Sequence, residues 1–572
     1  MDTVRSRLLA SLAASPAPQP PSADGRWPDI DYEGQDVADW PPFEHLVRLR
    51  ALAASAPGQA ATALQAWLDL DPVCPNWWYN QLGAPRLLGD VALILNTPGD
   101  AVTSILARAT WENMTGQNLI WAAQVAIRRC LLTGDEEGLA DAFARVEALL
   151  TTGEAEGVQP DLSFHQHGPQ LYNGGYGHAF AVDTAAFADL AAGTPYAFSP
   201  HALGVLAGFL LDGQRWMVHG GRYDIACMGR ESSREGNAGQ ARELSGATEA
   251  LVRAGAPRAG ELDRFERPSG ARAFWRSDYL AVFRPRWSAA VKLSSTRTVL
   301  SESMNGEGLG GRHLCDGALH LWREGEDHPD LCPVLDWRHV PGTTAVQGPG
   351  LPAPNRLDRD RGGSPFAGVL SDGWYGMAAM HLERDGMTAR KAWFFLDDGY
   401  VALGAGITGA DVHTTIDQTA LPTARAYRLL EPGELTVRTG TRTGRWSDIN
   451  RSQPDREITA EVMELWLDHA RTGTYAYQAG DDEVTVLANN PQVQAVRHGG
   501  RIQAVFHEPG AVEGITVDRP VLLQIDGTTG HAACPLHRGG HVTVNGTPVT
   551  LPGSGATRRF DLERTLERTM RR

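Results

Sequence analysis

A helical first part followed by a long β part, an α+β chain of several domains, is the fold class this sequence predicts. Three observations predict it. Apolar residues recur at three- and four-residue spacing over 40–255. After about residue 256 that period gives way to short β-rich runs separated by Gly, Pro, Asn and Asp. At 572 residues the chain is too long for one ordinary core.

The helical period marks segments 46–54, 60–70, 84–95, 118–132, 138–150, 180–192, 202–218 and 240–254. Their connections are short or carry Gly and Pro, and serial hairpins of this kind stack side by side or close into a ring. The β runs are 282–285, 289–293, 375–382, 392–396, 401–405, 484–487, 493–498, 502–506 and 521–525. They read as large packed antiparallel sheets. A turn-rich break over 509–520 sets off a smaller β unit, and 561–572 reads as a charged surface helix. The expected domains are therefore an N-terminal extension at 1–24, a helical domain at 25–255, a central β-sandwich at 256–508 and a small C-terminal β domain at 509–572. Arg5 and Arg7 precede a short apolar stretch, 8–14, and a Pro-rich one. A weak signal segment and a short helix with a linker both fit it, so secretion and a cytoplasmic location both stay open.

Composition narrows the function. A net charge of −16 argues against nucleic acid, whose phosphates need a basic patch. It leaves room for an acidic ligand in a local positive cleft, for which the arginines of 215–234 are available. No run of 18 apolar residues exists, so no transmembrane helix is expected. The six cysteines are scattered without a CxxC, which points to buried thiols rather than zinc or a disulfide framework. Sixteen Trp outnumber twelve Tyr. Most belong in cores, but flat faces with one N–H donor also suit sugar rings.

Five motifs carry possible chemistry. Asn76-Trp77-Trp78 puts two Trp about 100° apart on a helix, so both rarely share one core. Thr115-Gly116-Gln117-Asn118 opens a helix, where Thr or Asn also serves as an N-cap. The loop from Asp161 to Gly177 holds His165, Gln166, His167, Tyr172 and Tyr176 among glycines, and His and Tyr both move protons. His165 and His167 lack a third ligand at a metal-site spacing. Arg230 and Arg234 suit carboxylates. Ser295 to Glu307 contains Arg297, Glu302, Asn305 and Glu307, with a hairpin turn at Asn305-Gly306.

These motifs, in this order, resemble polysaccharide lyase family 8, the hyaluronate, chondroitin AC and xanthan lyases. The family shows an NWW segment, a TG-x-N, a DGS-x-x-QHG…Y-x-G-x-YG loop, a GR-x-x-SR motif and an S-x-R-x-x-x-x-E-x-x-N-x-E segment. Asp336-Trp337-Arg338, Pro341 to Thr344, Lys391 to Phe395, Leu403 to Ile407 and Thr414 to Gln418 add to the resemblance, which is dense over 70–425. Leu162 stands where the family has Gly, and Ser232 where it has an apolar residue.

The resemblance implies an incomplete α/α toroid, an antiparallel β supersandwich and a small C-terminal β domain. It implies cleavage of a uronic-acid polysaccharide (glycosaminoglycan-like, xanthan or mannuronan) by β-elimination. Asn118 and His167 would hydrogen-bond the uronate carboxylate. Tyr176, nine residues after His167, would be base and then acid, though His167 as base with Tyr176 as acid stays open. Arg230 would stabilise the tyrosinate, with Arg234, Glu302 and Asn305 holding the geometry. Trp77, Trp78 and Trp111 would stack sugar rings, with Asn76, Gln166, Tyr172 and Asn305 also contacting substrate. No cofactor is required; a structural divalent cation near Asp327 and Asp336 is the one metal the resemblance leaves room for. The expected partner is an acidic polysaccharide, met by a monomer. A glycoside hydrolase on a toroid and a non-catalytic carbohydrate-binding protein are the alternatives. The first needs a pair of flanking carboxylates, and the acids here cluster with Arg or Asn instead.

Overall fold

The structure, a computed structural model, describes residues 1–12, 19–326, 330–357, 359–423 and 425–562. Asp327 and all but the first two residues of the expected C-terminal helix lie outside the described residues.

One compact unit comprises Met1–Val158, Tyr176–Leu211 and Glu243–Glu266. It contains α1 (Asp2–Leu12), α2 (Phe43–Ser55), α3 (Pro57–Leu70), α4 (Ala84–Leu95), α5 (Asp100–Leu106), α6 (Gly116–Thr133), α7 (Glu136–Leu149), α8 (Tyr176–Ala191), α9 (Pro200–Gly208), α10 (Leu244–Arg253) and α11 (Ala259–Arg264). Helices α2, α4, α6, α8 and α10 pack each on the next. Helices α3, α5, α7, α9 and α11 lie against them as hairpin partners. Alternate helices thus form one layer and their partners a second, the arrangement of an α/α toroid. Sequence explains which helix takes which layer. Helix α4 is buried along nearly its whole length, as an apolar helix must be. Helix α7 buries only Leu139, Ala142, Phe143 and Val146, a single stripe, and Asp135 caps it by accepting from the Gly138 N–H at 2.8 Å.

The N-terminal stretch folds as a helix. Val4, Leu8 and Leu12 of α1 are buried. Arg7 Nη1 donates to the carbonyls of Asp189, Leu190 and Ala192 at 3.1, 3.0 and 2.6 Å, a cation at the negative end of α8. The expected helix over 202–218 breaks. α9 ends at Gly208, a π-helical turn follows over Phe209–Gly213, then a 3-10 turn over Gln214–Met217. Phe209, Leu210 and Leu211 are all fully buried. Three consecutive residues cannot share one face of a regular helix, and the wider turn keeps all three inside. Likewise the segment 240–254 becomes α-helical only at Leu244, after a 3-10 stretch Asn237–Glu243.

The second unit comprises Gln159–Gly175, Asp212–Arg242 and the chain from Arg267 onward. Its sheets are antiparallel. Gly270–Phe274, Tyr279–Phe283, Trp287–Lys292 and Ala318–Arg323 form the first. The second includes Ala367–Ser371, Gly376–Arg384, Met387–Phe395, Tyr400–Thr408 and Tyr475–Ala479. The two faces of this second sheet belong to different cores. Met380, Trp393 and Tyr400 join Leu280, Val282 and Val291 of the first sheet. Met377, Phe394 and Leu403 join Val496, Val505 and Leu522. Burial on both faces is why these strands read as continuous apolar runs.

In a third sheet Glu457–Asp468 pairs with Glu434–Arg445 on one side and Val412–Ala420 on the other. The sequence reading missed Glu434–Arg445, because this outer strand is almost wholly exposed and Thr- and Arg-rich. The break expected over 509–520 is a hairpin, Gly510–Val512 with Ile515–Val517. Strand Arg501–Phe506 before it pairs with Val521–Asp526 after it, so one sheet runs from Val484 to Asp561 across the expected boundary. None of the described helices is long and apolar enough to cross a membrane.

Several buried and half-buried histidines are expected to make the fold acid-sensitive. Burial lowers His45, His381 and His537 to about 4 and His165 to about 3. His381 Nε2 and His507 Nδ1 lie 2.9 Å apart, so one ring must stay neutral to accept. With native pKa values below the unfolded value of about 6.5, these groups contribute stability above that pH and lose it as the pH falls toward 4. Denaturant midpoints measured at pH 7 and pH 5 are expected to drop at the lower pH; equal midpoints would refute the assignment.

Candidate active site

In the helical unit, Tyr176 is the first residue of α8 and is 8% exposed. Asn118 is the third residue of α6. Its backbone N–H is taken by Thr115 O at 3.0 Å, while its side-chain Oδ1 is buried and has no hydrogen-bond partner among the described residues. Thr115 precedes the helix without capping it and gives its hydroxyl to Glu156 Oε2 at 2.6 Å. Trp121, one turn on from Asn118, links the aromatic groups. Its ring lies 5.8 Å from Tyr176 and 5.3 Å from Trp78. The sequence reading missed Trp121; its i+3 spacing from Asn118 was the available signal. Both helix N-termini favour negative charge beside them.

Trp77 is 45% exposed, whereas Trp78 packs edge-on against Phe43, Tyr79 and Trp121. The doublet therefore divides into one exposed face and one half-buried ring. Asn76 brackets this turn: Nδ2 donates to Val37 O at 2.6 Å and Oδ1 accepts from Trp78 N at 3.1 Å. Trp111 is half-buried under the Arg145 guanidinium, 4.8 Å from its ring.

In the sandwich unit, Asp161 shapes the loop. Its Oδ1 accepts from Ser163 N and Oγ at 3.0 and 2.7 Å, and its Oδ2 from Arg276 N at 2.6 Å. Leu162, Gly in the family, has φ +70°, the left-handed region where glycine is free of strain. His165 is buried, with its Nε2 2.9 Å from Ser277 Oγ. Gln166 is also buried.

His167 has φ +58° and is half-buried. A strained backbone on a polar loop is the kind of feature that function retains. Its Nδ1 lies 2.8 Å from Glu302 Oε2. Glu302 is fully buried, and its Oε1 accepts from Arg230 Nη1 and from the Tyr172 hydroxyl, the latter at 3.1 Å. Tyr172 was expected at substrate; fully buried, it instead holds Glu302 from behind. Glu307, also buried, takes Arg230 Nε at 2.9 Å, Arg234 Nε at 2.7 Å and Asn450 Nδ2 at 3.2 Å. Two carboxylates and two guanidiniums thus interlock. Burial disfavours the Glu302 charge, but the hydrogen bond from His167 and the Arg230 charge outweigh it and hold its carboxyl down at about 2. Burial opposes Glu307 in the same way, and Arg234 overrides it.

Arg230 lies in a 3-10 turn, Gly229–Ser233, with Arg234 just beyond it, and both reach Glu307 from there. Asn305 and Gly306 have φ +55° and +81°, and Glu307 N donates to Met304 O at 2.9 Å, a type I′ turn. Asn450 was not foreseen, since nothing in the sequence ties 450 to 307. Gly229 has φ +54°, and a Cβ there would run into the Tyr172 ring. Gly229→Ala is therefore expected to displace Tyr172 from Glu302, lowering stability by about 2 kcal/mol or more and reducing activity; melting and turnover of the variant check it.

The cation expected near Asp336 meets a poor donor set. The ligand atoms of Asp336, His339 and Glu464 lie within 4.8 Å of one another. However, Arg438 and Arg442 already approach Glu464 at 2.5 and 2.8 Å, and Arg442 approaches Asp336 at 3.6 Å. Two guanidiniums balance these carboxylates, and a dication does not fit beside them.

Helices in two layers followed by antiparallel sandwiches define the class: a polysaccharide-cleaving enzyme of the toroid-and-supersandwich architecture. Family models agree. The N-terminal alpha-helical domain of polysaccharide lyase family 8 matches residues 58–257. Its super-sandwich domain matches 269–428 and 423–480, and its C-terminal beta-sandwich domain 485–534. The chain belongs to polysaccharide lyase family 8 and is a carbon–oxygen lyase acting on uronic-acid polysaccharides. It is 29% identical to a chondroitinase-AC of Pedobacter heparinus, over 94% of this chain and 88% of that one. It is 26% identical to a hyaluronate lyase of Thermasporomyces composti, over 90% and 82%. A solved chondroitinase AC lyase, from a study of oligosaccharide complexes, superposes with a TM-score of 0.85 at 26% identity. That match covers 98% of this chain and all of the other.

Proposed function

We propose that this lyase cleaves a glycosaminoglycan-type polysaccharide at the bond to O4 of a hexuronate by β-elimination, leaving a 4,5-unsaturated uronate. The C5–H bond breaks and its proton passes to a base. Its electron pair forms the C4=C5 double bond. The C4–O4 bond breaks with its pair going to O4, which takes a proton from an acid.

Tyr176 is assigned as base and then acid. A phenol near pKa 10 needs its anion stabilised, and the N-terminus of α8 supplies favourable charge. Asn118 and His167 are assigned to the uronate carboxylate, which gains negative charge as C5 loses its proton. Glu302 accepts from His167 Nδ1–H and orients the ring, whose Nε2 is a donor to the carboxylate in the protonated form. Arg230 and Arg234 are committed to Glu302 and Glu307, so the charge assigned to stabilise the tyrosinate, that of Arg230, is held in a fixed ion cluster. Trp77 is the assigned sugar platform, being the exposed ring of its pair.

The single observation that carries this reading is the buried Glu302, which joins His167, Arg230 and Tyr172 from separate parts of the sequence. The glycosaminoglycan class rests on the chondroitinase-AC and hyaluronate lyase relatives. The test is ultraviolet absorbance during incubation with hyaluronan, chondroitin sulfates, xanthan and polymannuronate. Absorbance rising with hyaluronan or chondroitin supports the reading; absorbance rising with xanthan or polymannuronate alone overturns the substrate class. Asn118→Ala is expected to lower kcat by about 10²–10³ while leaving the melting temperature unchanged. Unimpaired kcat in that variant would remove Asn118 from the chemistry.

A further inference from the structure

The loop between strands Glu434–Arg445 and Glu457–Asp468 is bound to the ion cluster along its length. Its short helix, Trp446–Ile449, buries both Trp446 and Ile449. Leu309 N donates to Ile449 O at 3.0 Å, and Asn450 Nδ2 holds Glu307 at 3.2 Å. Arg451 N donates to Gly306 O at 3.0 Å, and Glu235 N to Gln453 Oε1 at 3.0 Å. Arg456 pairs with Glu235.

Within this frame Arg451 differs from its neighbours. Arg230, Arg234 and Arg456 are all committed to carboxylates. Arg451 is exposed, and among the described residues its guanidinium has neither an ion pair nor a hydrogen bond. Its stem is nevertheless fixed. A Cβ placed on Gly306 would meet its Cβ, Cγ and Cδ at 3.3, 3.4 and 3.2 Å, so the chain lies across Gly306, the residue after Asn305. The absence of a Gly306 side chain makes room for it. An arginine held by backbone and stem, with its fork uncommitted, has lost much of the entropy that binding would otherwise cost. The substrate is a polyanion, and a guanidinium offers paired donors to sulfate or carboxylate.

We propose that Arg451 is a specificity-determining residue that binds an anionic substituent of the polysaccharide, either a hexosamine sulfate ester or the carboxylate of a neighbouring uronate. The proposal rests on the β-elimination reading given above, in which Tyr176 is base and acid.

The experiment measures steady-state kinetics on chondroitin 4-sulfate, chondroitin 6-sulfate and hyaluronan for wild type, Arg451→Gln and Arg451→Lys. Arg471→Gln, which removes an exposed charge paired with Glu434, is the control. Affinities for oligosaccharides of the same three polymers are measured in a Tyr176→Phe background with and without Arg451→Gln. Arg451→Gln is expected to raise KM and weaken binding by about 5- to 10-fold, with kcat within about twofold and partial rescue by Lys. It should also flatten the dependence of log KM on log salt. A loss confined to the chondroitin sulfates assigns sulfate; an equal loss on hyaluronan assigns the carboxylate. Unchanged KM and affinity, or the same small change in Arg471→Gln, overturns the proposal. So does a fall in kcat at constant KM. Failure of the underlying site reading has a different signature: Tyr176→Phe would then keep turning over substrate whatever residue stands at 451.

Discussion

Tyr176→Phe is expected to abolish turnover while leaving the fold and the affinity for substrate in place. The ring contributes the packing, at 5.8 Å from Trp121 and 8% exposed, and phenylalanine preserves it. The hydroxyl contributes the proton transfers, which are worth about 10²–10⁴ in rate for a well-placed group. Losing one hydroxyl costs stability of about 1 kcal/mol, small enough for the variant to purify as a folded protein. Three measurements check this: absorbance at the new double bond, affinity for an oligosaccharide, and exchange of the C5 hydrogen with solvent deuterium. Turnover within tenfold of wild type would remove Tyr176 from the chemistry. Exchange at C5 without product formation would make His167 the base and leave Tyr176 as the acid.

Glu302→Gln is expected to have the largest effect on stability. The carboxylate is fully buried between His167, Arg230 and Tyr172. Removing its charge leaves the Arg230 guanidinium buried with only Glu307 to balance it. Breaking a buried pair in this way costs about 3–5 kcal/mol. The pH dependence follows from the direction of the shift. The carboxyl is held down at about 2 in the folded protein, below its unfolded value of about 4.3. Its contribution is therefore complete above about pH 4.3 and lost as the pH falls toward 2. The gap in denaturant stability between wild type and Glu302→Gln should be wide at pH 7, narrower at pH 3.5 and close further toward pH 2. A gap that stays constant would mean that the charge is not what stabilises the site. Activity should fall as well, because His167 loses the acceptor that orients it.

The legible part of this protein is the part written in local periodicity and in short motifs. Helices such as α4 and α7 announce themselves because packing on one layer demands apolar residues at fixed intervals. Strands such as Gly376–Arg384 are equally visible, since burial on two faces leaves little room for polar residues. Strand Glu434–Arg445 was not legible: an exposed outer strand has no interior to satisfy, so its sequence carries no apolar rhythm. The break near 509 was misread for a related reason. Turn residues mark a reversal of the chain, but they do not say whether the strands beyond it join the same sheet.

At the candidate site, the sequence by itself offered the candidate groups and their order, from Asn118 through His167 and Tyr176 to Arg230 and Glu302, because they stand in short motifs that resemble those of the family. Tertiary structure alone decided the partnerships. It set Glu302 between His167 and Arg230, moved Tyr172 behind it, and brought Asn450 and Arg451 to a turn nearly 150 residues earlier in the chain. The physical reason is that a buried charge is tolerated only when counter-charges and donors surround it. Those partners are recruited through space from whatever segments the sheets bring together, so no spacing in the sequence records them.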